Sequence, residues 1–284
     1  MKSLFQRLLL FIVGLPIIIC VLLFLPMYNH FGFSIIVIIV SLSGALEFRN
    51  MLNQKNLTVS KAEAVILGGL SPLTAALVVC FGAPVEIQDT VFSLGVFWAL
   101  SSRVFASKET LDSFVNRSAA CLAVLIYPGF LMSFIIRLLA FPHAGLVVLF
   151  FLLITLLNDS GAWAAGMLFG KGNRGIIPAS PNKSVAGFLG GMIVSLILGM
   201  AGTWLFPGAF PKGRFHFLVS GAILGLVAGA GAILGDLAES CLKRSAGIKD
   251  SGNIMPGRGG MLDCIDSLST AAPVYYLVFA LLFT

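Results

Sequence analysis

The feature that most constrains this chain is a series of long stretches without charge. Leu8–Leu25, Asn29–Leu46, Ala64–Val85, Ser118–Ile136, Ser184–Pro211 and Ser267–Thr284 contain no Lys, Arg, Asp or Glu. Leu138–Asn158 and Phe215–Gly235 are equally bare. A bilayer core needs about 20 predominantly apolar residues as helix. In lipid each backbone N–H and C=O must find its partner within such a helix or a closed barrel. A 284-residue chain could build a soluble core, but 58% hydrophobic and 11% charged residues leave too little polar surface to clothe one. The sequence therefore predicts an all-α polytopic integral membrane protein.

Nine transmembrane helices are expected, over 7–25, 31–47, 63–82, 90–105, 118–139, 144–169, 184–206, 215–243 and 266–284. The fourth is the weakest, confined between Asp89 and Arg103. Lys2 and Arg7 before the first run mimic a signal peptide, but no small-residue cleavage site follows it, so a retained helix is expected. With the N-terminus cytoplasmic, fifteen of the eighteen basic residues fall on the inner side, and only Arg137, Lys212 and Arg214 outside. The positive-inside rule favours that orientation, with the C-terminus outside. It also explains the net charge of +6 without a nucleic-acid partner. The chain divides into N-terminal helices, 1–140, and a charged C-terminal region, 141–284, without a clear internal repeat. Five cysteines show no CxxC spacing and read as small hydrophobes.

Two charged constellations interrupt the apolar pattern. The first runs from Leu156 to Gly191. Asp159 is embedded in apolar sequence, where an ionisable residue costs several kcal/mol unless it faces a cavity or a partner. Ser180-Pro181-Asn182-Lys183-Ser184 then precedes the next apolar run. Hydroxyls, backbone amides and a Lys at a helix start can cradle phosphate. The same residues are also ordinary helix caps, and Asp159 could simply join two helices by a hydrogen bond.

The second constellation, Asp236–Asp266, holds nine of the thirty charged residues. Asp236, Ser240 and Lys243 share one helical face, with Glu239 beside them. Gly247 is placed to end that helix. Helix breakers fill Lys249–Gly260, and Asp263 and Asp266 stand one turn apart. Carboxylates suit Mg²⁺, which stays partly hydrated and shares substrate phosphates. Lys and Arg supply charge to phosphate oxygens, and glycines admit backbone N–H groups. The combination suits phosphoryl or nucleotidyl transfer, which rests on positioning and charge neutralisation. A loop held by salt bridges is the plainer alternative.

These residues resemble the CDP-diacylglycerol synthase family, the phosphatidate cytidylyltransferases. Its signature reads roughly Ser-x-x-Lys-Arg, four residues, Lys-Asp, then Pro-x-His-Gly-Gly-x-x-Asp-Arg-x-Asp. Ser240, Lys243, Arg244, Lys249, Asp250, Gly259, Gly260, Asp263 and Asp266 match it in residue and spacing. An upstream Ser-Pro-x-Lys element resembles Ser180–Lys183, followed by Gly187 and Gly190-Gly191. The likeness is strong over Asn158–Ser267. Three positions depart: Arg258 replaces the His before Gly-Gly, Cys264 replaces an Arg, and Ala186 stands where a Glu is frequent. The chain's histidines, His30, His143 and His216, all fall at outer helix ends, so a cytoplasmic histidine base is not expected.

The resemblance implies condensation of CTP with phosphatidate to CDP-diacylglycerol and pyrophosphate, in a bacterial inner membrane with a cytoplasmic active site. It implies Asp236 and Asp263 as Mg²⁺ ligands, with room for a second cation. Ser240, Lys243, Arg244 and Asp266 would be catalytic. Asp159, Ser180, Lys183, Lys249, Asp250, Arg258, Gly259 and Gly260 would bind substrate. Two readings stay open beside it: transfer to another lipid, an isoprenoid alcohol or ether lipid, and an ion-coupled transporter. Gly221–Gly235 admits close helix contact within one chain or across a homodimer.

Overall fold

The computed structural model describes residues 13–104, 111, 113–211, 213, 215–255 and 257–284. Among them the regular structure is helical, joined by turns and loops that contain two isolated backbone bridges, Arg174 with Ser184 and Met255 with Gly259. Nine helical segments follow one another: α1 Leu15–Phe24, α2 Met27–Asn53, α3 Lys61–Phe81, α4 Glu86–Ser101, α5 Phe114–Ala140, α6 Ala144–Phe169, α7 Val185–Leu205, α8 Phe217–Ala246 and α9 Leu262–Phe283. Seven of these, all but α1 and α4, are long and apolar enough to cross a membrane. α4 has 16 residues, about 24 Å of helix, short of a hydrocarbon core of about 30 Å. Of the expected first span, α1 covers 10 residues, and the part before residue 13 lies outside the described residues. So do Lys2, Arg7, Lys108, Lys212 and Arg214, which entered the charge count.

The helices form two compact units. The first comprises Met1–Arg137 and Ala246–Ile265; the second comprises Leu138–Ser245 and Asp266–Thr284. Segment 246–265 groups with the N-terminal helices.

In the first unit, α3 opens on a capping box. The Ser60 hydroxyl accepts from Glu63 N and the Glu63 carboxylate accepts from Ser60 N, each at 3.1 Å. α2 and α3 approach closely where Ser41 Oγ donates to Gly68 O at 2.9 Å. The same hydroxyl donates to Pro128 O, in a widened helical turn, Leu125–Phe130, that absorbs the proline within α5. Phe33, Val37, Phe48, Met51, Leu67, Leu125, Met132 and Ile136 fill the interior.

The second unit shows the inverted surface of a lipid-facing bundle. Along α7, Gly187, Gly191, Ser195, Gly199 and Gly202 are buried, whereas Leu189, Ile193, Ile197 and Trp204 are exposed. Both sets recur at helical spacing, so one face packs on protein and the other suits acyl chains. The buried stripe lets α7 lie against α6 and α8: Asn158 Nδ2 donates to Ser195 Oγ at 2.9 Å, and a Cβ on Gly229 would strike that serine. α8 meets α9 where Thr270 Oγ1 donates to Gly231 O at 2.9 Å. The Gly221–Gly235 stripe thus serves contacts within the chain.

Candidate active site

The charged residues collect at helix ends. In the second unit, the segment between α6 and α7 folds back as a tight turn in which Lys183 N donates to Ser180 O at 3.1 Å. Pro181 holds the second position of that turn, where a fixed φ suits it. Ser184 then caps α7, its hydroxyl accepting from Gly187 N at 3.0 Å. The turn delivers the Lys183 ammonium to the Asp236 carboxylate on α8, forming an ion pair. Arg244, two turns further along α8, reaches the Ala179 carbonyl at 3.4 Å. The two constellations, 53 positions apart at Lys183 and Asp236, therefore meet.

Below that pair the site becomes more acidic. Glu239 is fully buried and paired with Lys243 one turn on. Asp266 on α9 is buried, at 7% exposure, and feels the charges of Asp236, Asp159 and Lys243. Ser240 lies on the same stretch of α8, half-buried. Asp159, Asp236, Glu239 and Asp266 thus outnumber Lys183 and Lys243, and both lysines are already engaged in ion pairs. A phosphate drawn to this cluster would need a further cation.

In the first unit, Gly247 ends α8 in the left-handed conformation at φ 75°, as the sequence predicts. The loop that follows is folded around Asp263, on the first turn of α9. Asp263 Oδ2 accepts from Ser251 N and Ser251 Oγ, each at 2.8 Å, and from Gly260 N at 2.7 Å. Met255 N donates to Gly259 O at 2.9 Å and closes a smaller turn beneath Arg258. Gly259 has φ 103°, and a Cβ there would lie 2.6 Å from Asp263 Oδ2, so only glycine fits. Lys249 and Asp250 are exposed on the loop.

The sequence-predicted residues are therefore distributed over both units. Asp159, Ser180, Lys183, Asp236, Ser240, Lys243, Arg244 and Asp266 belong to the second, and Lys249, Asp250, Arg258, Gly259, Gly260 and Asp263 to the first. The expected metal pair, Asp236 and Asp263, is shared between them. Among the described residues no three His, Cys, Asp or Glu side chains converge to hold a metal by themselves. That suits Mg²⁺ all the same, because it binds through one or two carboxylates plus substrate phosphates. The surplus of carboxylates over available lysines fits such a hydrated, phosphate-sharing cation.

Histidine is remote from the acidic residues along the helices that carry both. His143 precedes α6 by one residue, 16 positions before Asp159, or about 24 Å of helix. His216 stands 20 positions before Asp236, about 30 Å along α8.

Two buried acids had no motif to announce them. Glu239 was visible only as a neighbour on the Asp236 face. Glu47, near the end of α2, is 4% exposed and accepts through Oε2 from Ser251 Oγ at 3.0 Å and Leu262 N at 2.8 Å. In sequence it is an acid at the close of an apolar run, beside Arg49, as at many membrane borders.

Among the described residues, seven helices are long and apolar enough to cross a membrane, and the second unit brings the Ser-Pro-Asn-Lys turn to the acidic residues of α8. The chain belongs to the cytidylyltransferase family, which it matches over residues 5–282. It is 42% identical to the phosphatidate cytidylyltransferase of Synechocystis sp. over 137 residues, 46% of this chain and 45% of that one. Identity to the Bacillus subtilis phosphatidate cytidylyltransferase is 37% over 158 residues, covering 55% and 56%. With the Mycobacterium leprae enzyme of the same name it is 32% over 223 residues, covering 76% and 65%. The chain spans about half the length of the first two of these relatives.

Proposed function

We propose that this protein is a phosphatidate cytidylyltransferase. It joins CTP and phosphatidate, and CDP-diacylglycerol and pyrophosphate are the products. A phosphate oxygen of phosphatidate attacks the α-phosphorus of CTP, and the bond to the β-phosphate breaks as pyrophosphate leaves. Family membership and the similarity to enzymes of that name support this reading. The single observation that carries it in the structure is the Lys183–Asp236 pair, which joins the Ser-Pro-Asn-Lys turn to the charged end of α8.

The absence of a nearby histidine base is consistent with this chemistry. A phosphomonoester's second pKa is about 6, so the attacking oxygen is already largely ionised near neutral pH. It needs orientation and charge shielding rather than deprotonation. Ser180 and Lys183 hold CTP phosphate or the lipid headgroup, with Asp159 lining the same region. Lys243 and Arg244 offset negative charge as pyrophosphate departs, and Ser240 donates a hydrogen bond. Lys249, Asp250, Arg258 and the backbone at Gly259 and Gly260 bind substrate from the loop. Asp236 in the second unit and Asp263 in the first are the carboxylates that would serve as Mg²⁺ ligands, with Asp266 as a supporting group. The metal supplies charge neutralisation on the triphosphate. In this reading the site faces the cytoplasm at the inner membrane, where CTP arrives from water and phosphatidate from the leaflet; the positive-inside distribution supports it.

The test is CTP incorporation into lipid by purified protein with Mg²⁺, across phosphatidate, an isoprenoid alcohol and an ether lipid. The expected result is a CDP-lipid from phosphatidate with stoichiometric pyrophosphate. Normal turnover with another acceptor and none with phosphatidate would overturn the substrate assignment. Flux of an ion in proteoliposomes without nucleotide chemistry would overturn the enzyme reading.

A further inference from the structure

Glu47 is a buried acid with no assigned task, and it accepts hydrogen bonds from the loop at Ser251 and from the start of α9 at Leu262, beside Asp263. Three features define it. Its Oε2 accepts from Leu262 N, the first N–H of α9, which has no partner within the helix. It thus caps a helix 215 positions away in sequence, and its negative charge faces that helix's positive end. The same oxygen takes the Ser251 hydroxyl at 3.0 Å, while that hydroxyl stands 2.8 Å from Asp263 Oδ2. Ser251 therefore stands between the two carboxylates, which share its single hydroxyl proton. Finally, the loop backbone closes over Glu47 at two glycines: a Cβ on Gly252 or on Gly260 would run into its carboxylate. Glu47 Oε1, though buried, has no hydrogen-bond partner among the described residues, and Oε2 takes both the Ser251 hydroxyl and Leu262 N.

We propose that Glu47 is a positioning residue for the reaction described above: by holding Ser251 and the start of α9, it sets where Asp263 sits. This rests on the cytidylyltransferase reading. The reason is geometric. Asp263 is the first acidic residue of α9, one residue after Leu262, and the loop hydroxyl bonded to its carboxylate is also bonded to Glu47. Without Glu47, the first turn of α9 loses its acceptor and Ser251 loses one of its two anchors. The Asp263 carboxylate then keeps its chemistry but not its place. Supporting groups of this kind, when removed, typically cost on the order of 10–100-fold in activity.

Three variants separate positioning from packing. Glu47→Ala removes the acceptor, Glu47→Gln keeps an oxygen that can take both donors, and Ser251→Ala cuts the link while leaving the helix contact. Expected are a kcat lowered about 10–100-fold in Glu47→Ala with KM for phosphatidate within about threefold, kcat within about threefold of wild type in Glu47→Gln, and an intermediate loss in Ser251→Ala. Amide exchange should rise over 249–263 in Glu47→Ala and stay at wild-type rates elsewhere. Full turnover in Glu47→Ala, an equal loss in Glu47→Gln, or exchange raised throughout the chain would each overturn the proposal. Should Glu47→Ala not fold, the comparison of Ser251→Ala with Glu47→Gln decides: equal kcat values overturn it. If the wild-type protein makes no CDP-lipid, the functional reading fails by itself. The exchange pattern then still tests Glu47, since unchanged exchange over 249–263 would overturn its role.

Discussion

Replacing Lys183 by Ala tests the contact on which the site depends. The pair it forms with Asp236 is neither open nor sealed: the two side chains are 23% and 30% exposed. Exposed pairs contribute about 0.2–1 kcal/mol, whereas removing one member of a fully buried pair costs about 3–5 kcal/mol. At this intermediate burial the loss should be about 2 kcal/mol, or roughly 4–8 °C in melting temperature at about 2–4 °C per kcal/mol. Part of that loss is the unpartnered Asp236, left beside Asp159 and Asp266 in a cluster already rich in negative charge. Charge exchange separates structure from chemistry. In the double variant Lys183→Asp with Asp236→Lys, the pair is re-formed with its polarity reversed. Thermal unfolding in detergent should recover at least half of the lost stability, while CTP turnover stays below about one hundredth of wild type, since neither phosphate nor Mg²⁺ meets the right charge. Recovery of turnover along with stability would show the pair to be a bridge without a catalytic part. An unchanged melting temperature in Lys183→Ala would refute the pairing itself.

Further outcomes follow from other contacts. Asp263→Asn keeps an oxygen for Ser251 and Gly260 but removes the charge, so the fold should persist while turnover falls at least about 100-fold and its Mg²⁺ dependence shifts to higher concentration; an unchanged Mg²⁺ titration would sink the metal assignment. In Gly235→Val the new side chain would strike Thr270 Oγ1 and the Asp266 carbonyl, separating α8 from α9; a loss of about 1–3 kcal/mol is expected in unfolding, together with activity, because Asp266 moves. Ser60→Ala dismantles the capping box of α3, and should lower stability by about 1 kcal/mol with kcat unchanged. A chelator should abolish CDP-lipid formation, with Mg²⁺ restoring it; activity persisting in excess chelator would argue against a metal-assisted reaction.

Much was legible because it is local. Spans of α2, α3 and α5–α9 follow from charge-free runs long enough for a bilayer, and no neighbour is needed to specify them. α4 shows the limit of such counting: the run from Thr90 to Ser102 carries no charge, but the helix that forms, Glu86–Ser101, is shorter than the hydrocarbon core of a bilayer. The stop at Gly247 was readable, since a glycine after a charged helical face is the ordinary way to leave a helix. So was the face shared by Asp236, Ser240 and Lys243, which needs only the helical period.

What the tertiary structure decided was which of these charges belong to one another. Periodicity places Lys183 before one helix and Asp236 on another, and says nothing of their pairing. That contact exists because the buried glycines of α7 and α8 let the helix axes approach, so that the turn before α7 lies over the charged end of α8. Nor did any motif point to Glu47, which reaches the α9 amide across 215 positions. An acid at the end of an apolar run has the same local signature whether water or a folded loop receives it. The sequence by itself determined a helical chain with runs long enough for a bilayer and which charged residues border them, because burial in lipid and helical spacing act over short range; its resemblance to the cytidylyltransferases rests on the spacing of one charged motif. Only packing decided that Lys183 answers Asp236 and that Asp263 is held through Ser251 by Glu47, because Lys183 and Asp236, like Glu47 and Ser251, are neighbours in space and far apart along the chain.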